Sequence, residues 1–118
     1  MFKERFEELI NRDNTSLDDV ERLQLFYTIA CTDALYNRAD RIYDFDNHQI
    51  KPSAFKRCQN STEYDAMMLR RALHLYNSYL CKDVSTADLL DKLDYQNRLT
   101  VINAQLIYSR IRSISDIF

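Results

Sequence analysis

The clearest amphipathic pattern in the chain lies in residues 61–81. Its apolar side chains recur three and four residues apart, as on one side of an α-helix, and cover roughly half of the helical wheel. An ordinary surface helix buries a stripe of only about 100°. The width of this face therefore predicts a single helix that is packed on two sides. The apolar positions are Tyr64, Met68, Leu69, Ala72, Leu73, Leu75, Tyr76, Tyr79 and Leu80.

Helical spacing of apolar residues recurs along the rest of the chain. It predicts helices over residues 2–11, 17–43 with a bend near Thr32, 52–57, 86–93 and 95–113. Ser16 and Asp19 form a capping box before the second helix, and Asp94 is placed to cap the last one. With no glycine and one proline, little interrupts helices. We predict an all-α fold, a compact bundle of about five to seven helices with no β-sheet, in a single domain over residues 1–118.

The last predicted helix carries two apolar faces instead of one. One face holds Tyr95, Leu99, Ile102 and Leu106, and the roughly opposite face holds Val101, Ala104, Ile107, Tyr108 and Ile111. A helix buries both faces only if it lies at the centre of the fold or if a partner covers one of them. As candidates for a dimer or partner face we select Val101, Ile107, Tyr108 and Ile111. The tail is also apolar, at Ile114, Ile117 and Phe118, which predicts that it docks on the fold.

The composition excludes several classes of site. Without glycine, the chain has no P-loop, no dinucleotide-binding loop and no nucleophile elbow. The odd number and irregular spacing of the three cysteines predict reduced thiols, and His48 and His74 form no zinc motif with them. The loop from Asp44 lacks the glycine and glutamate of an EF-hand. We expect no enzyme activity, no metal and no cofactor, although a Cys–His pair assembled in space stays open.

The basic side chains suggest a binding strip. Residues 1–50 hold 6 basic and 11 acidic side chains, whereas residues 51–118 hold 10 basic and 7 acidic ones. The net charge of −2 is too small for a dedicated nucleic-acid binder. A polar arc of the helix over residues 61–81 nevertheless offers hydrogen-bond donors, which the last helix extends. The candidate partner-binding residues are Arg70, Arg71, His74, Asn77, Arg98, Arg110 and Arg112.

Three stretches resemble a family of small uncharacterised proteins from Gram-positive bacteria and their phages and mobile elements. They are RLQLFYTIA (residues 22–30), IYDFDNHQIKP (residues 42–52) and LRRALHLYNSY (residues 69–79), and the similarity covers residues 2–101. The family has no assigned function. The resemblance therefore implies a setting, a small accessory protein of a phage-like element, and no catalytic residues.

These observations favour a non-enzymatic protein-binding module. We expect a phage- or mobile-element-type inhibitor that binds a host defence protein, such as a nuclease, stoichiometrically, as anti-CRISPR proteins do. Its many aromatic and arginine side chains are typical of interface hot spots. No apolar run approaches the roughly 18 residues that span a bilayer, so we expect no membrane and a cytoplasmic location in the host bacterial cell. The alternative is a nucleic-acid-binding regulator that uses a basic strip on the helices over residues 61–81 and 95–113, and a homodimer is also considered.

Overall fold

Helix α2, Val20–Ala30, lies at the centre of the structure, since every side chain from residue 23 to residue 30 is buried. The computed structural model describes residues 1–59, 61–77 and 86–118, except for the side chains of Asn77, Thr86 and Ala87. Three long helices pack around α2: α1 (Phe2–Asp13), α6 (Tyr64–Asn77) and α8 (Tyr95–Tyr108). The shorter helices are α3 (Asp33–Tyr36), α4 (Ala39–Ile42), α5 (Pro52–Cys58), α7 (Thr86–Lys92) and α9 (Ile114–Ile117).

The prediction of an all-α fold is confirmed, with one addition. The described residues form nine helices and one short antiparallel pairing, between β1 (Tyr43–Asp44) and β2 (Gln49–Ile50). The β1 carboxylate of Asp44 accepts hydrogen bonds from the backbone N–H groups of Asp46 and Asn47, which folds the loop back on itself. The statement that the fold has no β-sheet is corrected by this hairpin.

Helix α6 belongs to two apolar clusters. Leu69, Ala72 and Leu73 pack into the main core around α2, whereas Met67 and Met68 pack into a second cluster. That second cluster also contains Leu89, Leu93 and Val101. The two-sided packing predicted for residues 61–81 is confirmed for α6. Residues 78–81 of that prediction lie outside the described residues.

The ends of α2 and α8 follow local side-chain chemistry. Asp19, and not Ser16, caps α2, because its Oδ1 accepts from the backbone N–H of Arg22 at 3.1 Å. The predicted Ser16 cap is therefore wrong by three residues. Asp94 caps α8 as predicted. The bend near Thr32 is also confirmed, since α2 ends just before it and α3 begins just after it. The single helix predicted after the bend is wrong, because residues 33–42 form two four-residue helices, α3 and α4, and Tyr43 belongs to β1.

Two helices end on a left-handed residue that is not glycine. Asn14 after α1 and Arg110 after α8 have φ angles of 55° and 59°. The N–H of Ile111 donates to the Leu106 carbonyl at 3.0 Å, which is the Schellman pattern, and α1 closes in the same way. The helix predicted over residues 95–113 consequently ends at Tyr108, and the chain turns there toward α9.

Candidate functional site

The basic strip expected on α6 is not assembled. Arg70 is only 7% exposed, and its Nη1 donates to the carbonyl oxygens of Cys58, Gln59 and Ser61, each at 3.0 Å. These acceptors lie at the end of α5 and in the connection from α5 to α6. The prediction that Arg70 lies on an exposed strip is wrong, because its guanidinium satisfies main-chain acceptors inside the fold.

The other basic candidates on α6 and α8 have separate surroundings. Arg71 is half-buried and donates to Oε1 of Gln105 at 3.0 Å, which joins the polar sides of the two helices. Arg98 is exposed, and its Nε donates to a main-chain carbonyl at 2.8 Å. His74 is half-buried, and the side chain of Asn77 lies outside the described part of the chain. These contacts do not form a continuous basic surface.

The side of α8 selected for a partner faces inward. Val101 and Ile107 are buried in the two cores, and Tyr108 is half-buried. Ile111 is 71% exposed but follows the end of the helix, so it shares no helical face with the others. This corrects the predicted partner face. The packing of α8 on α2 and α6 decides which of its two apolar sides is buried.

A groove of about 840 Å³ lies between α1, the start of α2 and the C-terminal segment. This volume falls within the roughly 300–1,000 Å³ of typical ligand-binding clefts. We call it the C-terminal groove. Its apolar lining consists of Phe6, Ile10, Leu17, Val20, Leu23, Ile107, Ile114 and Phe118. Leu17 is 73% exposed, so a large apolar side chain at the groove is held in solvent.

The C-terminal wall of the groove is anchored by aromatic contacts. The ring centroid of Phe118 lies 5.6 Å from that of Phe6 and 5.3 Å from that of Tyr27. Ser113 and Asp116 form a capping box that starts α9. The apolar tail therefore docks on the fold, as its composition predicts.

Two arginines of the C-terminal groove have no ion-pair partner within the described part of the chain. Arg110 and Arg112 are exposed, and no described carboxylate lies within 4 Å of either, although Arg112 is close enough to Asp116 to add to the hydrogen bonds from Ser113 that lower the pKa of that carboxyl. Lys3 is the third basic lining residue, and Glu7 and Asp18 are the acidic ones. The groove thus joins an apolar lining to guanidinium groups that an anionic ligand can reach.

Three residues predicted from the sequence, Ile107, Arg110 and Arg112, line the C-terminal groove. The lining residues of α1 and α2 were not predicted, because their helical spacing indicates only a buried face. Leu17 gives no separate sequence signal, because a single apolar residue within a polar turn is common on protein surfaces.

A buried carboxylate at the end of α1 gathers hydrogen bonds from several elements. Oδ1 of Asp13 accepts from the Tyr43 hydroxyl at 2.7 Å and from Nδ1 of His48 at 2.9 Å. Its Oδ2 accepts from the Thr15 hydroxyl at 2.5 Å. Arg22 donates to the Tyr43 hydroxyl at 3.0 Å and lies 3.9 Å from Asp13. These five residues, here the Asp13 cluster, fasten the hairpin to α1 and α2.

The hydrogen bonds of the Asp13 cluster set its protonation. Burial raises the pKa of Asp13, but the bonds from Thr15, Tyr43 and His48 outweigh it and hold the pKa below its usual value. Burial and then the Asp13 carboxylate raise the pKa of the Tyr43 hydroxyl. A carboxylate that orients an imidazole also occurs in general-base catalysis. Here both carboxylate oxygens of Asp13 accept hydrogen bonds from residues of the fold itself, and His48 does not line the C-terminal groove. We therefore interpret the cluster as a structural element that stabilises the fold.

Metal and thiol chemistry have little support in the described residues. Within the described ranges, no group of three or more His, Cys, Asp or Glu side chains is placed to hold a metal ion. Cys31 and Cys58 are buried thiols outside any disulfide, whereas Cys81 lies outside the described ranges. Burial raises the pKa of the Cys31 thiol to about 11, so it is protonated at neutral pH and weakly nucleophilic. The described helices include none that is long and apolar enough to cross a membrane.

Comparison with known proteins gives one match. A family of unknown function, DUF6075, matches residues 1–116, which include the Asp13 cluster and all of the groove lining except Phe118. The resemblance to an uncharacterised family is thereby confirmed, whereas the Gram-positive and mobile-element setting stays a prediction. No curated protein and no solved structure matches the chain.

Proposed function

The chain belongs to the DUF6075 family, whose function is unknown, and from that premise we propose that it is a non-enzymatic protein-binding module. The C-terminal groove is the proposed binding site. One observation carries the proposal: eight apolar lining residues lie beside Arg110 and Arg112, which have no ion-pair partner among the described residues. The partner that fits is an amphipathic segment with one apolar face and an acidic edge.

The charges of the groove favour one orientation of that segment. Arg110 and Arg112 come from the C-terminal segment, whereas Glu7 comes from α1 and Asp18 from the turn before α2. Lys3 offsets Glu7 on the α1 wall, so an acidic edge is attracted to the C-terminal wall and repelled chiefly from the turn that carries Asp18. The exposed side chain of Leu17 offers an apolar contact that buries further surface on binding.

A designed peptide tests the proposed site directly. The probe is a short helical peptide with leucines at helical spacing and glutamates along one edge, and its matched control has lysines in place of the glutamates. We expect the acidic peptide to bind with a Kd on the order of 10 µM and the lysine peptide at least about tenfold more weakly. Fluorescence anisotropy gives the affinities, and amide chemical shifts locate the site. Equal affinities, or shifts that avoid the groove, would contradict the proposal.

Arg110→Gly separates binding from folding. The substitution removes a guanidinium from the groove and also relieves the left-handed backbone, which glycine adopts without steric cost. We expect the free energy of unfolding to rise by about 0.5–1 kcal/mol while the affinity for the acidic peptide falls about three- to tenfold. Urea denaturation and anisotropy measure the two effects. Arg41→Ala, at an exposed arginine outside the groove, is the control and keeps the affinity unchanged.

We further propose that the partner is a host defence protein. An inhibitor of a host defence protein is suggested by the resemblance to proteins of phages and mobile elements, not by the groove. An assay of a purified defence nuclease with an equimolar amount of this protein tests the inhibitor proposal, and we expect the nuclease activity to fall. The Leu17→Asp variant should no longer inhibit the nuclease. Salt-sensitive binding of a labelled DNA duplex that requires Arg98 would favour the nucleic-acid alternative instead.

A further inference from the structure

A second pocket, of about 260 Å³, lies between α4, α5 and the start of α6. We call it the α5 pocket. It shares no lining residue with the C-terminal groove, so it is a separate site on the molecule. Most of its apolar lining is buried, and consists of Leu35, Ile42, Ala54, Cys58, Ala66 and Leu69.

One pair of charged residues in the α5 pocket is satisfied within the fold. Asp65 is buried, and its Oδ2 accepts a hydrogen bond from Nη2 of Arg38. Nε of the same arginine donates to the carbonyl oxygen of Ala34 at 3.0 Å. The guanidinium of Arg38 is therefore held in place, and its charge is balanced by Asp65.

Two further arginines give the α5 pocket positive charge that a ligand can reach. Arg41 belongs to α4 and Arg57 to α5, so the two guanidiniums come to the pocket from different helices. Both are exposed, and no carboxylate in the part of the chain that the structure describes lies within 4 Å of either. Glu63, which precedes α6, is the other acidic residue of the described lining.

We propose that the α5 pocket binds a small phosphomonoester that carries one apolar ring. A phosphomonoester has a charge of about −1.5 to −2 at neutral pH and three acceptor oxygens, which suits two guanidiniums from separate helices. A carboxylate carries a single negative charge and is satisfied by one bidentate arginine. Phosphate is therefore the anionic group that matches Arg41 and Arg57 together.

The volume and the apolar lining of the α5 pocket set the size of the rest of the ligand. An apolar cavity of about 150 Å³ holds one benzene molecule. The pocket, at about 260 Å³, therefore has room for one ring and its phosphate group but not for a much larger body. The buried apolar side chains of the lining give the ring a surface to pack against.

Glu63 determines which side of the pocket the phosphate takes. The phosphate is attracted to the side of α4 and α5, where Arg41 and Arg57 lie, and is repelled from the side of Glu63. Glu63→Gln removes this repulsion and keeps the size of the side chain. Because Glu63 is exposed and its field is screened, we expect the variant to bind the phosphomonoester only about two- to threefold more tightly.

A titration with phenyl phosphate, followed by amide chemical shifts, tests the proposal. We expect saturable shifts in α4, α5 and the start of α6, with a Kd on the order of 0.1–1 mM. Inorganic phosphate lacks the ring and benzoate lacks the second charge, so each should bind at least about threefold more weakly. Equal affinity for inorganic phosphate or for benzoate would overturn the assigned ligand class. The absence of saturable shifts at about 10 mM phenyl phosphate would overturn the site itself.

Substitutions at the two arginines locate the phosphate. Arg41→Ala and Arg57→Ala remove exposed side chains, so both variants should stay folded, and each should weaken phenyl phosphate binding about three- to tenfold. Arg112→Ala, which removes an arginine of the C-terminal groove, is the matched control and should leave the Kd unchanged. Unchanged binding by both pocket variants contradicts the proposal. The titrations contain no peptide, so their failure leaves the groove proposal standing.

Discussion

Replacing Asp13 with alanine is expected to lower the free energy of unfolding by about 3 kcal/mol. The carboxylate is 4% exposed and accepts hydrogen bonds from Thr15, Tyr43 and His48. Its removal leaves the hydroxyls of Thr15 and Tyr43 without their acceptor and leaves the guanidinium of Arg22 without its buried counter-charge. A domain of this size has about 5–15 kcal/mol of stability, so the loss is a large fraction.

Urea denaturation at neutral pH measures the effect of Asp13→Ala. The matched control is Asp40→Ala, which removes an exposed carboxylate paired with Arg12 and should cost at most about 1 kcal/mol. Equal losses for the two variants would show that the Asp13 cluster does not fasten the hairpin.

The pH dependence of stability provides a second measure of Asp13. Its pKa is lower in the folded chain than in the unfolded chain, so folding favours the ionised form. The resulting stabilisation is fully present at pH values above the pKa of Asp13 in the unfolded chain, which is about 4. It is lost as the pH falls through the lower pKa that Asp13 has in the folded chain. The difference in stability between wild type and Asp13→Ala should therefore shrink below about pH 4. A difference that stays constant down to pH 2 would contradict this origin.

Helical periodicity predicts most of the fold because it depends on local spacing alone. The two-sided packing of α6, the bend near Thr32 and the Asp94 cap all follow from neighbouring residues. The hairpin does not follow, because its usual signal is glycine and the chain has none. Here the left-handed position is taken by His48, with a φ of 56°. Histidine adopts that conformation more often than most residues but far less readily than glycine, so the sequence predicts a loop.

The site is less predictable because it depends on contacts between distant segments. Both sides of α8 are apolar, and the side that faces inward is decided by where α2 and α6 lie. The C-terminal groove joins residues about a hundred positions apart, and only its arginines stand out in the sequence. A helical wheel likewise places Arg70 on a polar arc without showing that main-chain carbonyls cover that arc.

Arg70→Ala is the second substitution for which we expect a large effect. Three main-chain carbonyls, those of Cys58, Gln59 and Ser61, lose their common donor, and a buried side chain leaves a cavity. We expect the free energy of unfolding to fall by about 2–4 kcal/mol. Arg70→Lys should recover only part of this loss, because an ammonium lacks the planar fork of a guanidinium. Thermal and urea unfolding measure both variants.

Arg98→Ala is the matched control for Arg70, since it removes an exposed arginine of α8 that bonds a single main-chain carbonyl. Its expected effect on unfolding is within about 0.5 kcal/mol. If Arg70 were a partner contact, Arg70→Ala would remain as stable as Arg98→Ala and would lose binding instead. A large loss of stability with Arg70→Ala alone would mean that Arg70 holds the connection between α5 and α6 in place and is not a partner contact.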